Sequence, residues 1–89
     1  MKLKEKDLLK IETVCLASTS ELFASMVNPA NRGADFVWEN FPNIAKRLCV
    51  GSVLISHQWS DSKIEEVRIY ATEYCEQLAK TYMQAAGLQ

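Results

Sequence analysis

Cys15, Cys49, Cys75 and His57 are the side chains best suited to chemistry in this chain, since thiolates and imidazole bind zinc and an imidazole can activate a thiol nucleophile. All four together would make a Cys3His metal site. Cys49 with His57 is the one thiol–imidazole dyad available, because the chain has a single histidine. Neither reading has its usual support. Structural zinc sites pair their ligands at close spacing, and no CxxC occurs; no third residue stands out to orient the imidazole of a dyad. Cys15 and Cys75 fall on apolar helical faces, so the favoured reading is free core thiols, with no metal, no cofactor and no catalytic group. Three cysteines are also an odd number, which argues against a disulfide framework and for a reducing compartment, the cytoplasm.

Other chemistries lack their residues. Gly33, Gly51 and Gly87 stand alone, so no glycine-rich loop cradles a phosphate, which excludes nucleotide hydrolysis. Glu65, Glu66, Glu73 and Glu76 have no ExxH companion, so a carboxylate-bridged metal pair is missing its histidines. The reading is a non-enzymatic protein.

Binding remains, and charge separates its two forms. The 89 residues carry 10 bases against 11 acids, without the basic surplus that non-specific nucleic-acid binding needs. Lys46 and Arg47 are the one local exception. On a short middle helix followed by Gly51-Ser52 they would suit a helix-turn-helix entering a major groove, which makes a helical transcriptional regulator the alternative reading. Five acids against three bases lie in residues 60–89, and in their midst sits Ile69, ringed by Glu65, Glu66, Glu73 and Glu76. A purely solvated face gains nothing from an isoleucine there. With Phe36, Trp38 and Trp59, large groups of the kind enriched at binding hot spots, Ile69 points to another protein as partner. The leading expectation is therefore a stoichiometric regulator, adaptor or inhibitor of a larger assembly, of the sort phages and mobile elements encode. A homodimer is a companion expectation, since so short a chain buries little surface by itself.

These side chains must be positioned by a single domain, residues 1–89, whose 48% hydrophobic and 24% charged composition is globular. The opening Met-Lys-Leu-Lys-Glu-Lys lacks the apolar core of a signal peptide. The longest uncharged apolar stretch, Leu48 to Ile55, is far short of the roughly 20 residues that cross a bilayer, so no membrane association is expected.

Periodicity predicts an all-α fold, a small three- to four-helix bundle with long terminal helices. Helices are expected over 5–27, 34–49 and 62–86, with 51–58 read as helix over strand because a lone strand has no partner here. Leu8, Ile11, Cys15, Leu22 and Met26 form one row on the first helix and Leu9, Leu16, Phe23 and Val27 a second, giving an apolar arc of about 160°. Glu12 lies inside that arc, so it must be paired or only partly buried. Asn28-Pro29 ends this helix, and Pro42 starts or kinks the next. Ile44, Leu48, Ile55 and Trp59 thread one face of the middle segment, linked by Gly51 and Ser52. Ser62 and Glu65 have the spacing of a capping box for the last helix, Glu76 and Lys80 that of an ion pair, and Gly87 supplies the stop. Ile64, Val67, Ala71, Tyr74, Cys75, Leu78, Tyr82 and Ala85 are its buried face. The terminal helices are expected to pack antiparallel or to cross, with the middle helix across them.

Overall fold

The computed structural model describes residues 2–27 and 38–87. They are all-helical: α1 spans Glu5–Val27, a 3-10 turn covers Trp38–Asn40, α2 spans Phe41–Ser56 and α3 spans Ile64–Ala85. Residues 50–56 are helix, continuous with what precedes them. No described helix is long and apolar enough to cross a membrane.

Each helix buries a row of residues four apart. These are Asp7, Ile11, Cys15 and Thr19 on α1; Phe41, Ala45, Cys49 and Val53 on α2; and Val67, Ala71, Cys75, Ala79 and Met83 on α3. The three cysteines meet at one level, which fixes the register. One step away lie Ile11, Val53 and Ala71; one step the other way, Thr19, Ala45 and Ala79. Beyond these, Phe23 packs edge-on against Phe41 with ring centres 5.8 Å apart. The middle layers are therefore built from small side chains, and the bulk sits at the Phe41 end.

α1 and α3 pack against each other in parallel, and α2 runs antiparallel to both. Lys2 meets Glu66, Asp7 meets Lys63, Glu12 meets Tyr70 and Ser20 meets Tyr82, so residue numbers rise together along both helices. This corrects the expected antiparallel or crossed terminal helices: in an up-down-up bundle of three helices the first and third must point the same way.

Local signals explain the boundaries, with two corrections. Pro42 stands in the first turn of α2, where a missing N–H costs no hydrogen bond. Gly87 adopts φ +72° just after α3, a conformation that favours glycine. The Ser62–Glu65 capping box does not form. α3 instead follows a turn in which the Lys63 N–H donates to the Ser60 carbonyl at 2.9 Å, and it has no side-chain cap. The capping carboxylate is Asp7, which accepts from the Lys4 backbone N–H at 3.0 Å and from Lys63 Nζ at 3.0 Å. The Lys4 amide first, then the Lys63 ammonium, hold its carboxyl below the usual 3.8. Nor does Glu76 pair with Lys80: it reaches across to Lys46 Nζ at 3.7 Å and ties α3 to α2.

Two expected apolar rows face outward. Leu9, Leu16 and Val27 are exposed on α1, because its buried line runs through Thr19, whose hydroxyl has partners inside. Ile44, Leu48 and Ile55 are exposed on α2, because the smaller row Phe41, Ala45, Cys49 and Val53 lets the helices approach more closely. Glu12 resolves as the sequence required: it is half-buried and accepts a hydrogen bond from the Tyr70 hydroxyl at 2.5 Å.

Candidate functional site: a closed thiol core and two exposed apolar faces

The three thiols do converge, one from each helix. Cys49 Sγ lies 2.7 Å from Cys75 Sγ and 3.7 Å from the Cys15 carbonyl oxygen, while Thr19 Oγ1 sits 3.3 Å from Cys49 Sγ and 3.4 Å from Cys75 Sγ. All three cysteines are free and fully buried. The Cys3His constellation does not assemble, because His57 caps the end of α2, eight residues from Cys49 and about 12 Å further along the axis. The same separation removes the Cys49–His57 dyad. Among the described residues no group of three His, Cys, Asp or Glu is arranged to hold a metal ion.

Electrostatics make this cluster inert. The neighbouring Cys15 thiol, with burial, pushes the Cys49 thiol from the ordinary 9.0 up to about 11, and Cys49 and burial push Cys75 up as well. A nucleophile needs the thiolate and access to it, and here both are suppressed. Native protein at pH 8 is expected to resist a thiol-specific reagent, with all three cysteines reacting once the chain is denatured. Alkali should destabilise the fold. The unfolded chain releases thiol protons near pH 9 while the folded chain holds them to about pH 11, so the thiol contribution to stability is fully present below pH 9 and is lost through that window. The slope should be about 1 kcal/mol per pH unit for each such thiol, measurable by urea unfolding at pH 8, 9.5 and 10.5.

The outward faces carry the other candidates. Ile69 is 50% exposed at the outer side of α3. With Leu3, Glu66, Tyr70 and Glu73 it lines a shallow, mostly apolar groove that includes two carboxylates. Glu65 and Glu73 are exposed and make no ion pair among the described residues, whereas Glu66 accepts from the Lys2 backbone N–H at 3.0 Å and Glu76 is tied to Lys46. The ring of four carboxylates is thus half structural and half available. Tyr70 also lines the groove, and its hydroxyl is fixed by Glu12.

The remaining candidates separate. Trp59 is half-buried against the core, and its indole N–H donates to the Val53 carbonyl at 3.0 Å, closing the C-terminal turn of α2. Its first role is structural. No pattern in the sequence marks that bond, which depends on how the chain turns after Ser56. Lys46 and Arg47 line a shallow groove with Asn43, Val50 and Thr72, but Lys46 is engaged by Glu76. Trp38 opens the 3-10 turn, and Phe36 lies outside the described residues.

Among the described residues, fold and surface together define a small all-α protein with a sealed thiol core and exposed apolar side chains on each of the three helices. Comparison of the chain with protein-family models, with curated proteins and with solved structures finds no match.

Proposed function

We propose that this is a non-catalytic protein-binding module of the cytoplasm, a stoichiometric regulator, adaptor or inhibitor of a larger assembly, and that it binds through the Ile69 groove on α3. The observation that carries the reading is Ile69, half exposed between the unpaired carboxylates of Glu65 and Glu73. A large aliphatic side chain in a carboxylate ring suits a partner with an apolar protrusion flanked by Lys or Arg. Charge would steer the encounter and the apolar contact would hold it. The sealed thiols and the separated histidine support a role that needs no reacting group.

Affinity capture of the tagged protein from its host, with and without nuclease, tests this. A protein partner in stoichiometric amount should survive nuclease, and Ile69→Lys should weaken it about thirtyfold, the cost of losing one hot-spot anchor. The double substitution Lys46→Glu, Arg47→Glu should leave it bound. Loss of every partner on nuclease treatment, together with loss on Lys46→Glu, Arg47→Glu, would instead establish the helical nucleic-acid-binding regulator.

A further inference from the structure

The outward face of α2 carries an inference that goes beyond the partner-binding groove on α3. Ile44, Leu48 and Ile55 are 39%, 43% and 87% exposed, and Gly51 completes their row with nothing within 4 Å of the position a Cβ would take. The spacing is four, three, four. That is about three helical turns of a coiled-coil seam, in which apolar residues alternate at three and four.

The row also reads the same from either end. A two-fold interface needs a surface that complements itself, so that when residue i meets residue j, j also meets i. If a second α2 is laid antiparallel about the midpoint between Cys49 and Val50, Ile44 falls level with the partner's Ile55, and Leu48 with the partner's Gly51. The largest knob of the central pair meets the one position without a side chain. Gly51 then has a reason to stand in a helix interior, where it costs about 1 kcal/mol relative to alanine. Charge does not oppose the pairing. α2 contains no acid, Lys46 is turned to Glu76, and Arg47 falls level with the partner's Ser52, so like charges do not meet.

We infer that this face is the contact between two copies of the chain, an antiparallel α2–α2 homodimer that leaves each Ile69 groove free. The seam is short against the roughly 800 Å² per partner that stable interfaces bury, so the dimer is reversible, with half-association at order 100 μM chain.

Sedimentation of the full chain from about 1 μM to 1 mM should show monomer passing to dimer across that range. Leu48→Glu, which brings two carboxylates to the centre of the seam, should abolish the dimer while leaving the helical circular dichroism intact. Ile55→Lys, at the most exposed position, should weaken it at least tenfold. Orientation is read by cross-linking with a short bismaleimide, to which the buried native thiols are closed. A mixture of Ile44→Cys and Ile55→Cys chains should link to each other, and neither variant to itself. A monomer at 1 mM overturns the inference, as does a dimer indifferent to both Leu48→Glu and Ile55→Lys. Self-linking of Ile44→Cys chains overturns the antiparallel pairing. Since none of these substitutions touches the α3 groove, retention of the captured partner by Leu48→Glu distinguishes failure of the dimer from failure of the partner-binding reading.

Discussion

Phe41→Ala is expected to remove about 3–5 kcal/mol of folding stability, the usual cost of deleting a fully buried aromatic ring. Phe41 is the first residue of α2 and has no exposed surface. It meets Phe23 edge-on, and Phe23 in turn lies 5.0 Å from the Tyr82 ring, so three aromatic groups from three helices close this end of the bundle. The adjoining layer of Thr19, Ala45 and Ala79 is too small to collapse into the space left behind. A domain of this length has a total stability of about 4–13 kcal/mol, so this one substitution consumes a large fraction of it. The melting midpoint should fall by at least about 12 °C. A loss below about 1 kcal/mol in guanidinium unfolding would show that the ring is not enclosed.

Ala79→Leu tests the opposite property of the same core. Ala79 is fully buried, level with Thr19 and Ala45 and one step from the thiols. Three added carbons have no space there. Overpacking of this kind costs about 1–3 kcal/mol through off-rotamer side chains and displaced backbone. Ala85→Leu, at the exposed end of α3, is the control and should lie within about 0.5 kcal/mol of the parent. Equal melting of the two variants would mean that the small layers are not tight. Because Ala79 is one step from Cys75, the thiols of Ala79→Leu should also become more reactive than in the parent protein.

The helices were legible in the sequence because their signals are local. Apolar recurrence set the span of α1, proline set the first turn of α2, and Gly87 set the end of α3. Which face turns inward was less legible, and α2 shows why. Phe41, Ala45, Cys49 and Val53 make one helical row; Ile44, Leu48 and Ile55 make another. Hydrophobicity favours the second, since its side chains are larger, but packing three helices closely favours the first. Periodicity counts apolar residues without regard to the space between helices, so it could not choose. The buried Thr19 was hidden for a related reason, because its hydroxyl finds partners only when Cys49 and Cys75 arrive from other helices. The failed capping box is a competition of the same kind. Ser62 and Glu65 have the spacing, yet Lys63 is drawn to Asp7, 56 positions away in the chain, and the helix starts from the turn that this pairing holds.

On the candidate site, Ile69 and its acidic surround stand out in the sequence, since an isolated isoleucine among carboxylates is a contradiction visible without coordinates, and the structure leaves that side chain half exposed. It could not show that Glu66 and Glu76 are occupied elsewhere. The exposed row Ile44, Leu48 and Ile55 reads as core in the sequence for the same reason that periodicity favours the wrong face of α2.

The parallel course of α1 and α3 has an electrical consequence. Each helix carries a backbone dipole equivalent to about half a positive charge at its N-terminus and half a negative charge at its C-terminus. α2 cancels one of the two parallel dipoles, and the other is left over along the bundle axis. The positive pole is the end where Lys2 meets Glu66, and the first turns of α1 and α3 place Glu5, Asp7, Glu65 and Glu66 there. Among the described residues the opposite pole has no such compensation: neither α1 nor α3 has a base in its last turn, and α2 has no acid in its first. One end of the molecule is therefore tied by Asp7, whose carboxyl is held below the usual 3.8, and the other by the Phe23–Phe41–Tyr82 cluster. As pH falls through that lowered range the hold of Asp7 on the Lys4 amide and the Lys63 ammonium is lost, so acid loosens the bundle at its Lys2–Glu66 end while the aromatic contacts remain.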